Sequence, residues 1–192
     1  MKTFHRVLMP LAVALLSTLA LAQSEAPKPA DKPALSEAQE SFNELKTLAG
    51  AWQGPVVTDP PMPSQMYAKP LRITLRVTSR GNAIVHEMKE AGTPDDPTRY
   101  DDPITMLYLD SGRLMLTHYC DAGNRPRMVG KISPDGKKVE FDFLDVAGST
   151  RFGHMDHAVF TFVDANHHIE DWTYLMPGDK PMHAHFDLQR VQ

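Results

Sequence analysis

Leu71, Ile73, Leu75 and Val77 are apolar, and Arg72, Thr74, Arg76 and Thr78 alternate with them. A period of two marks a strand with one buried and one solvated face. Further apolar-rich runs lie at 82–90, 103–109, 113–120, 126–133, 137–144, 154–163, 168–176 and 182–190. Turn signals separate several of them: Arg80-Gly81-Asn82, Asp110-Ser111-Gly112, Pro134-Asp135-Gly136 and Asp164-Ala165-Asn166. With 52–57 and 70–79 the pattern predicts about ten strands. Short strands on tight turns imply an antiparallel meander, and a meander hides its edges by closing into a barrel. The predicted fold class is therefore all-β, a barrel of about ten antiparallel strands.

One helix precedes the strands. Ser36 and Gln39 have the spacing of a capping box. Ala38, Phe42, Leu45 and Leu48 recur at helical spacing, and Gly50 is a natural stop. The spacing predicts a short helix over 36–49 that closes the barrel floor.

The first residues have a different pattern. Lys2 and Arg6 form a basic start, Val7 to Leu16 a short apolar stretch, and Ala20 with Ala22 an A-x-A site. These parts in this order predict a secretory signal over 1–22, cleaved after Ala22. The apolar stretch is too short for a spanning helix of about 20 residues. Pro27, Pro29 and Pro33 among Ala, Lys and Asp make 23–35 a linker. The expected domain organisation is signal 1–22, linker 23–35 and barrel 36–192. The expected location is the periplasm or the extracellular space, with no membrane anchor left after cleavage.

Charge narrows the function classes. Removing Lys2 and Arg6 with the signal lowers the 20 basic residues to 18 against 24 acidic ones, a formal −6. A nucleic-acid binder is expected to be basic, and a polybasic membrane patch is missing as well. Cys120 is the only cysteine, so no disulfide can form within the chain. Its neighbours read as a buried strand.

Strand parity sorts the histidines. If 71–77 turns its apolar face inward, a tight turn at Arg80-Gly81 pairs Val77 with Ile84 and Leu75 with His86. Paired residues share a face, so His86 and Met88 point into the lumen. A similar turn at Ser111-Gly112 sends His118 inward. A hairpin at Ala165-Asn166 pairs Val159 with Trp172 and His157 with Tyr174, so Glu170, Trp172, Tyr174 and His157 share a face. Aromatic residues with a few converging polar groups are the usual lining of a ligand site. His167-His168 follows a turn and is expected at the surface.

His183-Ala184-His185 is the sharpest metal signal, because imidazoles at i and i+2 leave one side of a strand together. A catalytic zinc site needs three protein ligands, and the candidate third is His118, or His154 or His157 from Gly153-His154-Met155-Asp156-His157. Against this, Phe186, Leu188 and Arg190 share the opposite face of the same run. If that face is the inner one, His183 and His185 face solvent. No nucleophile elbow and no phosphate-cradling loop is present, and no catalytic residue is assigned.

The helix running into Gly50-Ala51-Trp52-Gln53-Gly54 resembles the opening of lipocalin and calycin barrels. The resemblance implies that Trp52 closes the floor and that Arg190, in Phe186-Asp187-Leu188-Gln189-Arg190, packs against it. The sequence is also similar to nitrobindin-like haem barrels, which implies a last-strand iron ligand at His183 or His185. The stretch from Thr117-His118-Tyr119-Cys120 to Pro126-Arg127-Met128 resembles a run in uncharacterised exported bacterial proteins.

The expected function is binding of a small, mainly apolar molecule in the lumen, oriented by His86, His118, His157, Trp172 and Tyr174 and requiring no cofactor. The competing reading is a metal or haem protein with enzymatic or redox activity, its ligands drawn from His118, His183 and His185.

Overall fold

The computed structural model describes residues 34–63 and 69–191. The expected signal and most of the linker lie outside the described residues.

Helix α1 (Glu37–Thr47) starts where the sequence places it. Ser36 is the N-cap, and its Oγ accepts a hydrogen bond from the Gln39 backbone N–H. The reciprocal half of a capping box does not form, because the Gln39 side chain donates to Asn43 Oδ1 instead. Phe42, Leu45 and Leu48 are buried in the main core cluster. Burying each contributes roughly 1.5–3 kcal/mol, against about 1 kcal/mol for the cap. Packing therefore holds the helix, and the cap mainly sets where it begins.

Eleven strands follow in sequence: β1 (Gly50–Gly54), β2 (Val56–Asp59), β3 (Leu71–Thr78), β4 (Ala83–Glu90), β5 (Ile104–Asp110), β6 (Arg113–Tyr119), β7 (Arg125–Ile132), β8 (Lys138–Ala147), β9 (His154–Asp164), β10 (His167–Met176) and β11 (Lys180–Val191). From β3 to β11 each pairs antiparallel with the next, and β1 pairs with both β3 and β11, which closes the sheet. β2 continues β1 past Pro55 and pairs with the other half of β11. Together β1 and β2 make one stave, so the result is a closed ten-stave barrel with one short helix, as the alternation predicts.

One closed end is built by α1, the start of β1 and the β9–β10 hairpin. Trp52 is fully buried there and donates its Nε1–H to Leu48 O at 2.8 Å. The Arg190 guanidinium lies 4.0 Å over the Trp52 ring and donates to Ala49 O. Between this end and the middle, the lumen is filled by Ile73, Ile84, Leu107, Leu114, Leu116, Met128, Phe141, Phe160 and Leu188, all fully buried.

Three bulges modify the regular register. In β8, Leu144 is the extra residue between the Arg127–Asp145 and Met128–Phe143 pairs. In β9, Val163 and Asp156 are extra opposite β10. A bulge shifts one strand by a residue and so reverses which side chains face inward.

Candidate functional site

The middle of the lumen holds a polar layer. β4 brings His86 inward opposite Leu75, and β5 and β6 bring Thr105 and His118 into the same row, His86 opposite Thr105 and Thr105 opposite His118. β10 contributes His168, Glu170 and Trp172 from its inner face. All six side chains are buried.

Glu170 is the hub. Its Oε1 accepts from His168 Nε2 at 3.0 Å, and its Oε2 accepts from His86 Nε2 at 3.0 Å and from Trp172 Nε1 at 2.9 Å. An ionised carboxylate can only accept, so all three nitrogens carry the proton. Burial by itself pushes the Glu170 pKa up. The charge of His86 and the hydrogen bonds from His168 and His86 outweigh it and hold the carboxyl far below its usual range. Glu170 is thus a buried anion wrapped by ring N–H groups. The Nδ1 atoms of His86 and His168 are buried with no hydrogen-bond partner among the described residues.

Aromatic contacts complete the layer. The Trp172 ring centroid lies 5.7 Å from His86, 5.9 Å from His118 and 5.7 Å from Phe160. His168 meets Trp52 edge to face at 4.2 Å. His118 Nδ1 is hydrogen-bonded with Thr105 Oγ1 at 2.8 Å. Burial, and then the nearby His86, lower its pKa from 6.5 to about 4, so His118 is a neutral imidazole at neutral pH.

Above this layer, toward the end opposite α1, the lining changes. Met88 on β4, Met155 on β9, Tyr174 on β10, and Met182 and Ala184 on β11 remain partly exposed. Register places them on the inner face: Met88 is opposite Ile73, Tyr174 opposite both Met155 and Met182, and Ala184 opposite Trp172. The Tyr174 hydroxyl donates to Phe152 O in the loop between β8 and β9. At the same end, ligand atoms of Asp101, Cys120 and Asp121 lie within 4.8 Å of one another. Burial and the charge of Asp121 raise the Asp101 pKa to about 6. Burial also pushes the Cys120 thiol up, so it is protonated at neutral pH. Cys120 lies just past the end of β6 and is only partly buried.

Four expectations need correction. His157 does not share a face with Trp172 and Tyr174. The bulge at Val163 pairs Trp172 with Ala158 and Thr173 with His157, so His157 lies on the outer wall, 3.5 Å from Glu140 and 3.4 Å from Asp142. His168 is fully buried, because Glu170 and Trp52 supply its partners, while His167 stays near the surface beside Asp187. His118, His183 and His185 do not converge. His118 is inside the barrel, and the other two are exposed on the outer face of β11. For the same reason neither last-strand histidine can reach a haem in the lumen. The inner face of β11 presents Met182, Ala184, Phe186 and Leu188, so the residues do not fit that group.

The sequence pattern sends His86 and His118 inward and sets Trp172 and Tyr174 on one face with Glu170, but gives Glu170 no central role; the structure puts His86, His118 and Trp172 in the polar layer and Tyr174 above it. The signal for Glu170 was present, because an acid at i−2 from an inward Trp is itself inward and needs a partner.

No protein-family model matches the chain, and no curated protein does. Among solved structures, the chain is similar to Rv2717c from M. tuberculosis, with 12% identity and a TM-score of 0.55 over 79% of this chain and 98% of that one. It is also similar to a protein of unknown function of the DUF3598 family from Nostoc punctiforme, with 10% identity and a TM-score of 0.48 over 78% of this chain and 49% of that one. Together with the closed ten-stave sheet, the first of these likenesses supports a calycin-like barrel fold.

Proposed function

We propose that this chain is an exported binding protein that takes a small, mainly apolar molecule into the end of the barrel opposite α1. One observation carries this reading. The lumen residues below Trp172 are sealed, whereas Met88, Met155, Tyr174, Met182 and Ala184 above it are apolar or aromatic, face inward and keep exposed surface. Apolar walls over a floor with a few fixed polar groups suit a small ligand, and methionine adapts its shape to the guest. Trp172 and His118 form the floor. His118 is uncharged there, so it supplies a neutral hydrogen-bonding group, suited to a carbonyl or hydroxyl on the ligand.

The test is native mass spectrometry of protein recovered from the exported fraction without chelator or affinity metal. A mass consistent with cleavage after Ala22 plus an organic adduct supports both export and binding. Ala184→Trp sets a large side chain on the inner face directly across from Trp172, and the expected result is loss of the adduct with the thermal transition retained. An adduct that survives Ala184→Trp, or an adduct-free protein whose melting temperature no apolar probe shifts, overturns the reading.

A further inference from the structure

We propose that the outer wall of the barrel carries a binding site for Zn²⁺ or a similar late first-row divalent cation, with Glu140, Asp142 and His157 as its ligands. The site is separate from the lumen and independent of what the lumen binds.

Strand register brings the three residues together. Val139 and Phe141 are fully buried on the inner face of β8, so Glu140 and Asp142 leave its outer face. The bulge at Val163 turns His157 outward on β9, directly opposite Asp142. The side chains then converge. His157 Nε2 is 3.5 Å from Glu140 Oε1, and His157 Nδ1 is 3.4 Å from Asp142 Oδ1. One ring nitrogen and one oxygen from each carboxylate all lie within 4.8 Å of one another. Donors that share a tetrahedral zinc ion at about 2.0–2.2 Å sit roughly 3.3 Å apart. Closing on one ion therefore takes shifts on the order of 1 Å in side chains that are all partly open to solvent. One imidazole and two carboxylates form a three-ligand set with a position left for water.

A cation is already drawn to this place. Lys131, opposite Glu140 on β7, sets its Nζ 3.1 Å from Asp142 Oδ2 and 4.0 Å from Glu140 Oε2. The lysine side chain is 59% exposed, and an ion pair that open to water is weak. One ammonium leaves the two carboxylates short of a positive charge. A divalent ion bound with a neutral imidazole cancels both. Lys131 has room to swing aside, because it and Glu140 line an open cleft of about 480 Å³. The lysine is thus a built-in competitor for the ion. One other group converges among the described residues, Asp101, Cys120 and Asp121. It has no imidazole, and burial keeps its thiol protonated.

The probe is Zn²⁺ alone, titrated calorimetrically into the metal-stripped, untagged protein at pH 7.5, with imidazole NMR signals followed in parallel. Binding is expected to perturb the signals of His157 and leave those of His167, His183 and His185 in place. His157→Asn, Glu140→Gln and Asp142→Asn are each expected to weaken binding by about tenfold or more. Lys131→Gln removes the competing ammonium and is expected to tighten binding severalfold, a gain that a merely structural ion-pair network does not give. Cys120→Ser is expected to leave affinity unchanged. Because the substituted residues of the site are partly or fully exposed, far-UV circular dichroism should not change. Affinity unaffected by His157→Asn, or abolished by Cys120→Ser, overturns the site, as does a shift confined to His183 and His185. Affinity unaffected by Glu140→Gln or by Asp142→Asn overturns the three-ligand assignment. Affinity weakened by Lys131→Gln overturns the competition between lysine and metal. No heat and no shift at millimolar Zn²⁺ overturns the proposal as a whole.

Discussion

His86 and Glu170 reach each other across the barrel, one from β4 and one from β10, with His86 Nε2 3.0 Å from Glu170 Oε2 and both side chains fully buried. The two strands are not neighbours in the sheet. Their contact therefore ties opposite walls together through the lumen. Removing one member of a buried charged pair strands the other, which costs roughly 3–5 kcal/mol. Glu170→Gln keeps the shape but replaces an acceptor oxygen with an NH₂ that faces ring N–H donors. The expected loss lies in that range, measured by urea unfolding at pH 7 with the slope unchanged. A loss below about 1 kcal/mol would mean that the network reorganises around the amide.

Acid stability follows from the same layer. Unfolded His118 takes a proton near pH 6.5, but in the fold it resists until about pH 4. Its contribution is complete above pH 6.5 and disappears as pH falls toward 4, about 3 kcal/mol over that window. Glu170 has its folded pKa depressed from 4.5, so its contribution is complete above 4.5 and is lost below it. Asp101 acts in the opposite sense. Its pKa rises from 3.8 to about 6 in the fold, so stability increases as pH drops from 6 toward 3.8. Asp101 is half exposed, and solvent screening reduces its share. His118→Asn keeps a partner for Thr105 but cannot titrate. Its stability profile between pH 6.5 and 4 should be flatter than that of the parent, and that of Asp101→Asn should be steeper. Parallel profiles for all three proteins would refute the assignment.

The barrel seam gives a steric prediction. A Cβ built on Gly54 would lie 1.8 Å from the backbone oxygen of Asp187, so β1 and β11 approach each other only because this residue has no side chain. Gly54→Ala must part the two strands that close the sheet. The expected cost is about 3 kcal/mol or more. Gly112→Ala is the control. Its Cβ meets open space at a φ of +76°, and the penalty there is only the left-handed backbone, about 1–2 kcal/mol. Equal losses in the two variants would show that the strands part at Gly54 at little cost and that the close approach does not hold the seam.

Most of the barrel was legible because turn chemistry and alternation agree. Between β3 and β4 they give the register that pairs Leu75 with His86, and between β5 and β6 the register that sends His118 inward. In the β9–β10 hairpin they do not suffice. Val163 is one extra residue in a run that alternates normally on both sides of it, and one residue moves His157 from the lumen to the outer wall. His168 was hidden for another reason. A His pair after a turn reads as surface, and its burial depends on Trp52, which β1 supplies from the start of the barrel. Glu170 shared the inward face of Trp172 in the predicted pattern, but its three donors come from two strands that only the closed fold brings together.

At the closed end, Arg190 does more than place a charge over Trp52. Its Nη1 donates to Ala49 O at 2.8 Å, its Nη2 to Thr47 O at 3.3 Å and its Nε to Ala165 O at 2.9 Å. One guanidinium therefore links the end of α1, the entry to β1 and the β9–β10 hairpin, while its face covers the indole 4.0 Å away. A lysine ammonium can keep the cation–π contact, worth about 0.5–2 kcal/mol. It is a point charge and cannot fork across carbonyls on opposite sides. Arg190→Lys should therefore lose two of the three hydrogen bonds, at roughly 1 kcal/mol each for partly exposed groups. Arg190→Ala should lose these, the third bond and the ring contact. The expected order of stability is parent, Lys variant, Ala variant, with steps of about 2 kcal/mol, read by urea unfolding. Trp52 emission should shift to the red only in the Ala variant, where water reaches the indole. A Lys variant as stable as the parent would show that the charge alone closes the barrel floor.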